Sequence, residues 1–303
     1  MKKSIRIGTR ESQLAVWQAS LVQQLLKAAG IESELVYIKS EGDIDLQTPL
    51  YEIGVQGIFT RSLDMALLGN KIDIAVHSMK DVPTQPAKGI VPAAVLKRAS
   101  YKDLLVFKGE VNELSPLTIA TSSIRRKAQW LHRYPHHTIE NLRGNVNTRL
   151  RKLAESHWNG AIFAAAGLER INLRPENSVE LDWMLPAPAQ GAIMVVAREG
   201  DASSLDACRA LHDEPTALCT QVERDFLRTL LGGCSTPISA LAVIERNEVH
   251  FKGNILSTDG KQKQEIEKKA VVSAAVGLGR AAAAELLQKG GKEIAEGIRN
   301  GGN

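Results

Sequence analysis

Residues 72–83 have the pattern of a strand that ends at a ligand-binding edge of a sheet. The nearly continuous apolar run at 72–76 is typical of a buried parallel strand. Lys80 and Asp81 stand side by side just after it, and Pro83 prevents an easy continuation as strand or helix. Because ligands of open α/β sheets bind beyond the carboxyl ends of the strands, this tip is a candidate site. A solvated loop exit fits the same pattern.

The unit of apolar strand, polar tip and amphipathic helix recurs through the first half of the chain. Strands are predicted at 5–7, 35–38, 117–120, 139–142 and 161–166, with helices at 14–28, 59–68 and from 148. The segment 7–12 resembles 119–123, which indicates two similar doubly wound α/β lobes that face a cleft. The apolar run at 192–197 is expected to complete the first lobe.

The pattern changes near residue 214. A helix is predicted at 215–231, then a meander of three strands at 238–244, 249–256 and 264–272, and an Ala-rich helix at 274–289. We therefore expect three domains. They are an α/β domain of residues 1–97 with 192–211, an α/β domain of residues 98–190, and an α+β domain of residues 214–303 with a three-stranded antiparallel sheet.

Positive charge is concentrated in the middle of the chain. Residues 118–174 contain ten basic and three acidic side chains, a net +7 against +4 for all 303 residues, and eight of the ten are arginine, which suits bidentate recognition of carboxylate or phosphate. Residues 121–123 add hydroxyl groups at a predicted helix N-terminus, where anions bind. A shared anionic ligand explains better than a solvated surface why arginines recur at the strand tips: Arg10, Arg125, Arg126, Arg143, Arg149 and Arg170.

The composition excludes several other classes. No apolar run approaches the roughly 18 residues of a membrane span, and the N-terminus lacks the apolar core of a signal peptide. Three cysteines without metal-type spacing favour a reducing cytosol and predict no metal site. Cys208 and Cys219 fit a helical core, whereas Cys234 follows two glycines on a tight loop. Its thiolate could act as a nucleophile, but the residues alone also allow a structural role.

Six motifs, in order and over nearly the whole length, identify the chain as similar to the porphobilinogen deaminase family. They are Ala75-Val76-His77-Ser78-Met79-Lys80-Asp81-Val82-Pro83, Thr121-Ser122-Ser123-Ile124-Arg125-Arg126, Leu142-Arg143-Gly144-Asn145-Val146-Asn147-Thr148-Arg149-Leu150, Ala165-Ala166-Gly167-Leu168-Glu169-Arg170, Gln190-Gly191-Ala192 and Gly232-Gly233-Cys234. The resemblance implies lobes like those of periplasmic binding proteins.

The resemblance also implies a transferase activity. Four porphobilinogen molecules would be joined head to tail, with loss of ammonia, on a dipyrromethane cofactor, giving the linear tetrapyrrole hydroxymethylbilane of haem biosynthesis. The cofactor would be attached to Cys234 through a thioether, and Asp81 would be catalytic. The ring carboxylates of cofactor and substrate would be bound by Arg10, Ser12, Ser78, Lys80, Thr121, Ser122, Ser123, Arg125, Arg126, Arg143, Arg149, Arg170 and Gln190. A cytoplasmic monomer that binds neither membrane nor nucleic acid is expected.

One loop departs from the family pattern. Lysines are usual in a motif of the type Lys-x-Gly-x-Lys-Gly-x-Phe, but here Glu52 and Gln56 stand at those positions. An acid also occurs within residues 40–43, where a basic residue is common. If this loop covers the cleft, its closure should depend on the backbone of residues 54–59, so that Gln56→Lys changes turnover little.

Two other classes compete with the enzyme. A solute-binding protein would suit two lobes and a basic cleft, but it needs neither Cys234 nor the lysine–aspartate pair. A nucleic-acid-binding protein would suit the basic stretch, but aromatic residues make up only 4% of the chain and form no stacking platform.

Overall fold

The protein is represented by a computed structural model that describes residues 4–39, 60–109, 114–230 and 236–300. No helix within these ranges is both long enough and apolar enough to cross a membrane. Cys234 and the loop that contains Glu52 and Gln56 lie outside the described residues, as does the segment 40–43.

The first part of the chain alternates strands and helices, as the sequence predicts. A single turn of 3-10 helix, Met79–Asp81, follows the third strand. That strand extends to Ser78, beyond the predicted apolar run, because the backbone of its polar end still pairs with the neighbouring strand. The elements are β1 (Ile5–Thr9), α1 (Gln13–Ala28), β2 (Ser33–Tyr37), α2 (Arg61–Leu68), β3 (Ile74–Ser78) and β4 (Ile90–Val95).

The second part repeats this alternation. Its elements are β5 (Asp103–Phe107), β6 (Thr118–Ala120), α3 (Ile124–Arg133), β7 (Thr138–Glu140), α4 (Val146–Glu155), β8 (Gly160–Ala164), α5 (Ala165–Glu169) and β9 (Ser178–Glu180). The prediction of a strand as far as residue 166 is wrong, because Ala165 already begins α5. A run of alanines has no periodicity that separates the end of a strand from the start of a helix.

The chain then returns to the first sheet through β10 (Ile193–Arg198), followed by α6 (Ala202–Cys208) and α7 (Glu214–Thr229). The first sheet has the order β2-β1-β3-β10-β4 and the second the order β7-β6-β8-β5-β9. In each sheet three parallel strands are extended by an antiparallel strand from elsewhere in the chain, β10 in one and β5 in the other. The matching orders confirm two similar α/β lobes.

A three-stranded antiparallel meander forms the third sheet, as predicted. Its elements are β11 (Ile238–Glu245), β12 (Glu248–Leu256) and β13 (Lys263–Val271), and α8 (Leu278–Leu286) and α9 (Lys292–Asn300) follow. The helix predicted at 274–289 is wrong at its start, which is Leu278, and a second helix, α9, follows it that was not predicted. Gly277 and Gly290 adopt φ of 89° and 100°, which is left-handed backbone, so the helix begins later and is broken before α9.

Both α/β sheets are covered on their two faces by hydrophobic side chains. In β3, Ile74 and Val76 pack on one face with α1, whereas Ala75 packs on the other with α2. This explains the unbroken apolar run of the strand, since alternate residues point to opposite faces and both are buried. The polar residues after β3 therefore stand at a fixed edge of the first lobe.

Candidate functional site

The tip of β3 carries polar groups that contact both lobes. Within the first lobe, Gln18 of α1 donates from Nε2 to Ser78 Oγ at 2.9 Å, and Ser78 Oγ lies 3.3 Å from Gln18 Oε1. Lys80 Nζ donates to Gln190 Oε1 at 3.2 Å. Asp81 ends the 3-10 turn beside them and is half-buried. The predicted tip therefore brings Ser78, Lys80 and Asp81 together.

Asp103, at the start of β5, is a buried carboxylate that the sequence analysis missed. It is fully buried and accepts hydrogen bonds from Arg125 Nη2 at 2.7 Å and from Arg126 Nη2 and Nε at 2.7 and 3.1 Å. Gln190 Nε2 donates a fourth bond at 2.9 Å. The signal in the sequence was an acid placed directly before the apolar run of residues 104–107.

Arg125 and Arg126 therefore have an internal anion as their principal partner. Their remaining bonds go to backbone carbonyls, from Arg125 Nη1 to Leu185 O at 2.7 Å and from Arg126 Nη1 to Ile162 O at 3.0 Å. Both side chains are about 5% exposed. Contact with ligand carboxylates stays a prediction for this pair, but two guanidinium groups beside one carboxylate leave a net positive charge there.

The charges around Asp103 shift the pKa of its neighbours. Burial opposes ionisation of Asp103, yet the guanidinium groups of Arg125 and Arg126 outweigh it and hold the pKa of the carboxyl well below its usual range. Burial, together with repulsion from Arg126 and Arg125, lowers the pKa of Lys80 to about 8, although Asp81 and Asp103 oppose the change. The ammonium group of Lys80 therefore loses its proton at a lower pH than that of an exposed lysine.

Arg149 and Arg143 of the second lobe extend the positively charged region. Arg149 donates from Nε to Gly144 O at 2.7 Å, and Arg143 is 3% exposed. Burial, followed by repulsion from Arg126 and Arg143, lowers the pKa of Arg149 to about 10, and attraction to Asp81 opposes this shift. Because Asp81 affects both Lys80 and Arg149, it lies within electrostatic range of cations from both lobes.

Arg170 and Gln190 lie near the two segments, residues 96–102 and 185–192, by which the chain crosses between the lobes. Arg170 Nη2 donates to Gly191 O at 2.7 Å, and its guanidinium lies 5.6 Å from the ring centroid of Trp17 in α1. Gln190 is fully buried and donates to Tyr101 O at 2.8 Å as well as to Asp103. Both side chains therefore connect the lobes with the crossings.

The crossings are also held by an ion pair that the sequence analysis did not single out. Arg98 donates to both carboxylate oxygens of Glu223 in α7, at 2.6 and 3.1 Å, and to Gln190 O at 2.8 Å. The fully buried Glu223 also accepts from Ala189 N at 2.6 Å and from Ala242 N in β11 at 2.8 Å. One carboxylate thus joins both crossings to the third sheet.

The remaining predicted residues occupy helix starts and strand ends. Ser12 caps α1 and Ser123 caps α3, each accepting a backbone hydrogen bond at 3.4 Å. Ser122 Oγ donates to Leu142 O at 2.7 Å, and Thr121 Oγ1 accepts from Ser123 N at 3.2 Å. Thr121, Ser122 and Ser123 line a cavity together with Lys127 and the acidic Glu140. Arg10 follows β1 and is half-buried. Burial lowers the pKa of His77 to about 4, and the positive charge of Arg10 adds to this shift.

The described cations fit a ligand that carries several carboxylates. Lys80 and Arg149 are each destabilised by neighbouring cations, and an anion placed among them would relieve that repulsion. A cofactor with acetate and propionate side chains supplies such anions. The donor set is rich in arginine, which favours planar, bidentate carboxylates over a metal ion.

Comparison with known proteins gives matches over nearly the whole chain. The family model "Porphobilinogen deaminase, dipyromethane cofactor binding domain" matches residues 5–206, and "Porphobilinogen deaminase, C-terminal domain" matches residues 217–288. The porphobilinogen deaminase of Acidithiobacillus ferrooxidans is 39% identical over 99% of this chain and 100% of its own length. That of Syntrophotalea carbinolica is 40% identical over 96% of this chain and 95% of its own length.

Among solved structures, the methionine-binding protein MetQ is similar with a TM-score of 0.44 and 14% identity, over 71% of this chain and 92% of that protein.

Proposed function

Because this chain belongs to the porphobilinogen deaminase family, we propose that the junction of its two α/β lobes is where it makes hydroxymethylbilane. The protein is a transferase of tetrapyrrole biosynthesis that condenses four porphobilinogen molecules head to tail, with release of ammonia, and it uses a dipyrromethane cofactor. The observation that supports this location is that Asp81 attracts both Lys80 of the first lobe and Arg149 of the second, two cations whose pKa is lowered by burial and by neighbouring arginines.

Asp81 is the proposed catalytic residue. When the aminomethyl group of porphobilinogen loses ammonia, the pyrrole becomes electron-poor and positively charged. A carboxylate near the pyrrole N–H stabilises that developing charge, which lowers the barrier by electrostatic means. The same carboxylate can exchange a proton with the substrate as each carbon–carbon bond forms. The tip of β3 suits this role because the strand pairs with β1 and β10 and so places Asp81 at a defined edge of the sheet.

The ring carboxylates are the proposed ligands of the cationic and hydroxyl side chains. Lys80, Arg143 and Arg149 would bind them directly, and Arg125 and Arg126 would contribute the charge that Asp103 does not neutralise. Each charge-assisted hydrogen bond contributes about 1.5–3 kcal/mol net. The other proposed carboxylate-binding residues are Arg10, Ser12, Ser78, Thr121, Ser122, Ser123, Arg170 and Gln190.

Cys234 is the proposed attachment point of the cofactor. The bound dipyrromethane supplies a covalent primer to which pyrrole units are added. A thioether at Cys234 would anchor it a few residues after α7, the helix whose Glu223 joins the crossings to the third sheet. Cys208 and Cys219 do not suit this role, because burial raises the pKa of their thiols to about 12 and about 11.

The domain division is proposed as three units: residues 1–97 with 192–211, residues 98–190 and residues 214–303. The pairing of β10 with β3 and β4 supports the first boundary. We further propose a cytoplasmic monomer without nucleic-acid partners, since the proposed groups from both lobes are supplied by one chain. Sedimentation of the purified protein tests the oligomeric state, and salt-sensitive retention of RNA would contradict the last point.

The first experiment is the intact mass of the purified protein beside the Cys234→Ser variant. The parent should carry an extra mass equal to two linked pyrrole units, and the variant should lack it. An unmodified parent that stays unmodified after addition of porphobilinogen would contradict the proposal. Asp81→Asn should retain the extra mass but lose most turnover. Near-normal turnover would remove Asp81 from its proposed role.

A further inference from the structure

Arg224 of α7 contacts the turn that carries Asp81. Its guanidinium, 8% exposed, donates from Nη1 to Val82 O at 2.8 Å and to Met79 O at 3.4 Å, and from Nη2 to Pro83 O at 2.6 Å. These three carbonyls lie on both sides of Lys80 and Asp81 in the sequence. We infer that Arg224 is a positioning residue for Asp81, an inference that rests on the catalytic role proposed for that carboxylate.

The turn has little hydrogen bonding of its own, and its backbone is held from outside by the bond from Met79 N to Ala192 O at 3.0 Å and by Arg224. It is a 3-10 helix of only three residues, and the capping bond from Val82 N to Met79 O is 3.2 Å long. Pro83 lacks a backbone N–H and cannot continue a hydrogen-bonded helix. Arginine suits this place because its planar group presents several N–H donors in a fixed arrangement, whereas lysine presents a single point charge.

Helix α7 is itself held in place independently of Arg224. Asp213 caps its N-terminus, accepting from Thr216 N at 2.9 Å, and Glu223 bonds to Arg98, to Ala189 N and to Ala242 N. Glu223 and Arg224 are consecutive residues of one helix, so the group that bonds to the crossings and the group that bonds to the catalytic turn share one rigid frame. Loss of Arg224 would therefore free the turn without releasing the helix.

The same helix leads toward Cys234, which lies ten residues after Arg224 in the sequence. The described helix ends at Thr229, so the positioning role of Arg224 depends only on its bonds to the Asp81 turn. Displacement of a catalytic group by about 1 Å can lower a rate by about 100-fold. The expected effect of losing Arg224 is therefore on turnover rather than on substrate affinity.

The test compares Arg224→Met, Arg224→Lys and a matched control on the purified, cofactor-bearing enzyme. The control is Arg228→Met, an exposed arginine one turn later on the same helix. Arg224→Met should keep the extra mass of the cofactor, lower kcat by about 10- to 100-fold and change KM less than about threefold. Arg224→Lys should recover part of kcat, and Arg228→Met should equal the parent.

Repeating the substitution in an Asp81→Glu variant separates a positioning role of Arg224 from a general loss of structure. In Asp81→Glu the carboxylate is already displaced, so adding Arg224→Met should lower kcat by less than about threefold, whereas a purely structural role would make the two losses multiply. Multiplied losses, or an unchanged kcat in Arg224→Met, would overturn the inference. If Arg224→Met does not fold, Arg224→Lys takes its place in both backgrounds. An Asp81→Glu variant with full activity would instead refute the role proposed for Asp81.

Discussion

Asp103→Asn is the perturbation whose effect the structure predicts most directly. The carboxylate accepts four hydrogen bonds, three of them from Arg125 and Arg126, and all three side chains are at most about 5% exposed. An asparagine of the same shape removes the negative charge and leaves two guanidinium groups buried without it. Breaking a buried ion pair in this way costs about 3–5 kcal/mol of unfolding free energy.

Urea unfolding followed by tryptophan fluorescence measures this loss of unfolding free energy in the second lobe, which contains Asp103. Three of the four tryptophans, Trp130, Trp158 and Trp183, lie in the second lobe with Asp103. The matched control is Asp182→Asn, which removes the exposed partner of Lys102 and should change the unfolding free energy by less than about 1 kcal/mol. A loss below about 1 kcal/mol in Asp103→Asn would refute the reasoning.

The pH dependence gives a second, independent check. Because the folded state depresses the pKa of Asp103, the unfolded state binds its proton first as pH falls through about 3.9. The stability that Asp103 contributes is therefore present above that value and is lost as pH falls further toward the folded pKa. The free energy of unfolding of Asp103→Asn should fall less steeply with acid than that of the parent, and equal slopes would contradict the assignment.

Three further predictions concern single residues. Since the pKa of Lys80 is lowered to about 8, the unfolding free energy should rise with pH between about 8 and the unfolded lysine value near 10.4, and Lys80→Met should lack this rise when measured by urea titration. Gly191→Ala should lose more stability than Gly200→Ala in thermal unfolding. Both have positive φ, but a Cβ at Gly191 meets Ser100 O at 2.5 Å while one at Gly200 meets nothing within 4 Å. His77, whose pKa is lowered to about 4, should stay neutral to about pH 5, and an NMR midpoint near 6.5 would contradict this.

The sequence was sufficient to predict the two lobes and the third sheet because these depend on local patterns. The turn at Arg246 and Asn247 has positive φ at both residues, as a two-residue hairpin requires, and it fixes β11 against β12. The start of α8 was not predictable in the same way. Gly277 and Gly290 adopt left-handed backbone, which glycine tolerates but does not require, and an Ala-rich segment alone favours a helix that starts before Gly277.

The partners of the predicted site residues could not be read from the sequence. Arg125 and Arg126 were chosen because they begin a helix after a strand, and that placement is correct. Their contact with Asp103 joins the start of β5 to α3, which only the order of strands in the sheet brings together. The bonds of Gln190 depend likewise on two crossings that are nearly ninety residues apart.

Asp103 also changes how the arginine-rich region should be understood. If Asp103 were absent, no carboxylate would offset the repulsion of Lys80 by Arg125 and Arg126. With Asp103 present, these three cations still outnumber the one carboxylate, and the pKa of Lys80 stays low. Asp103 offsets enough of the positive charge for the lobe to fold, and the positive charge that remains would be balanced by a bound anion. Ligand carboxylates bound there would raise the pKa of Lys80 and Arg149, so binding should take up protons at pH values above about 8. Calorimetry in buffers of different ionisation enthalpy measures that uptake, and its absence would mean that the carboxylates of cofactor and substrate are held elsewhere.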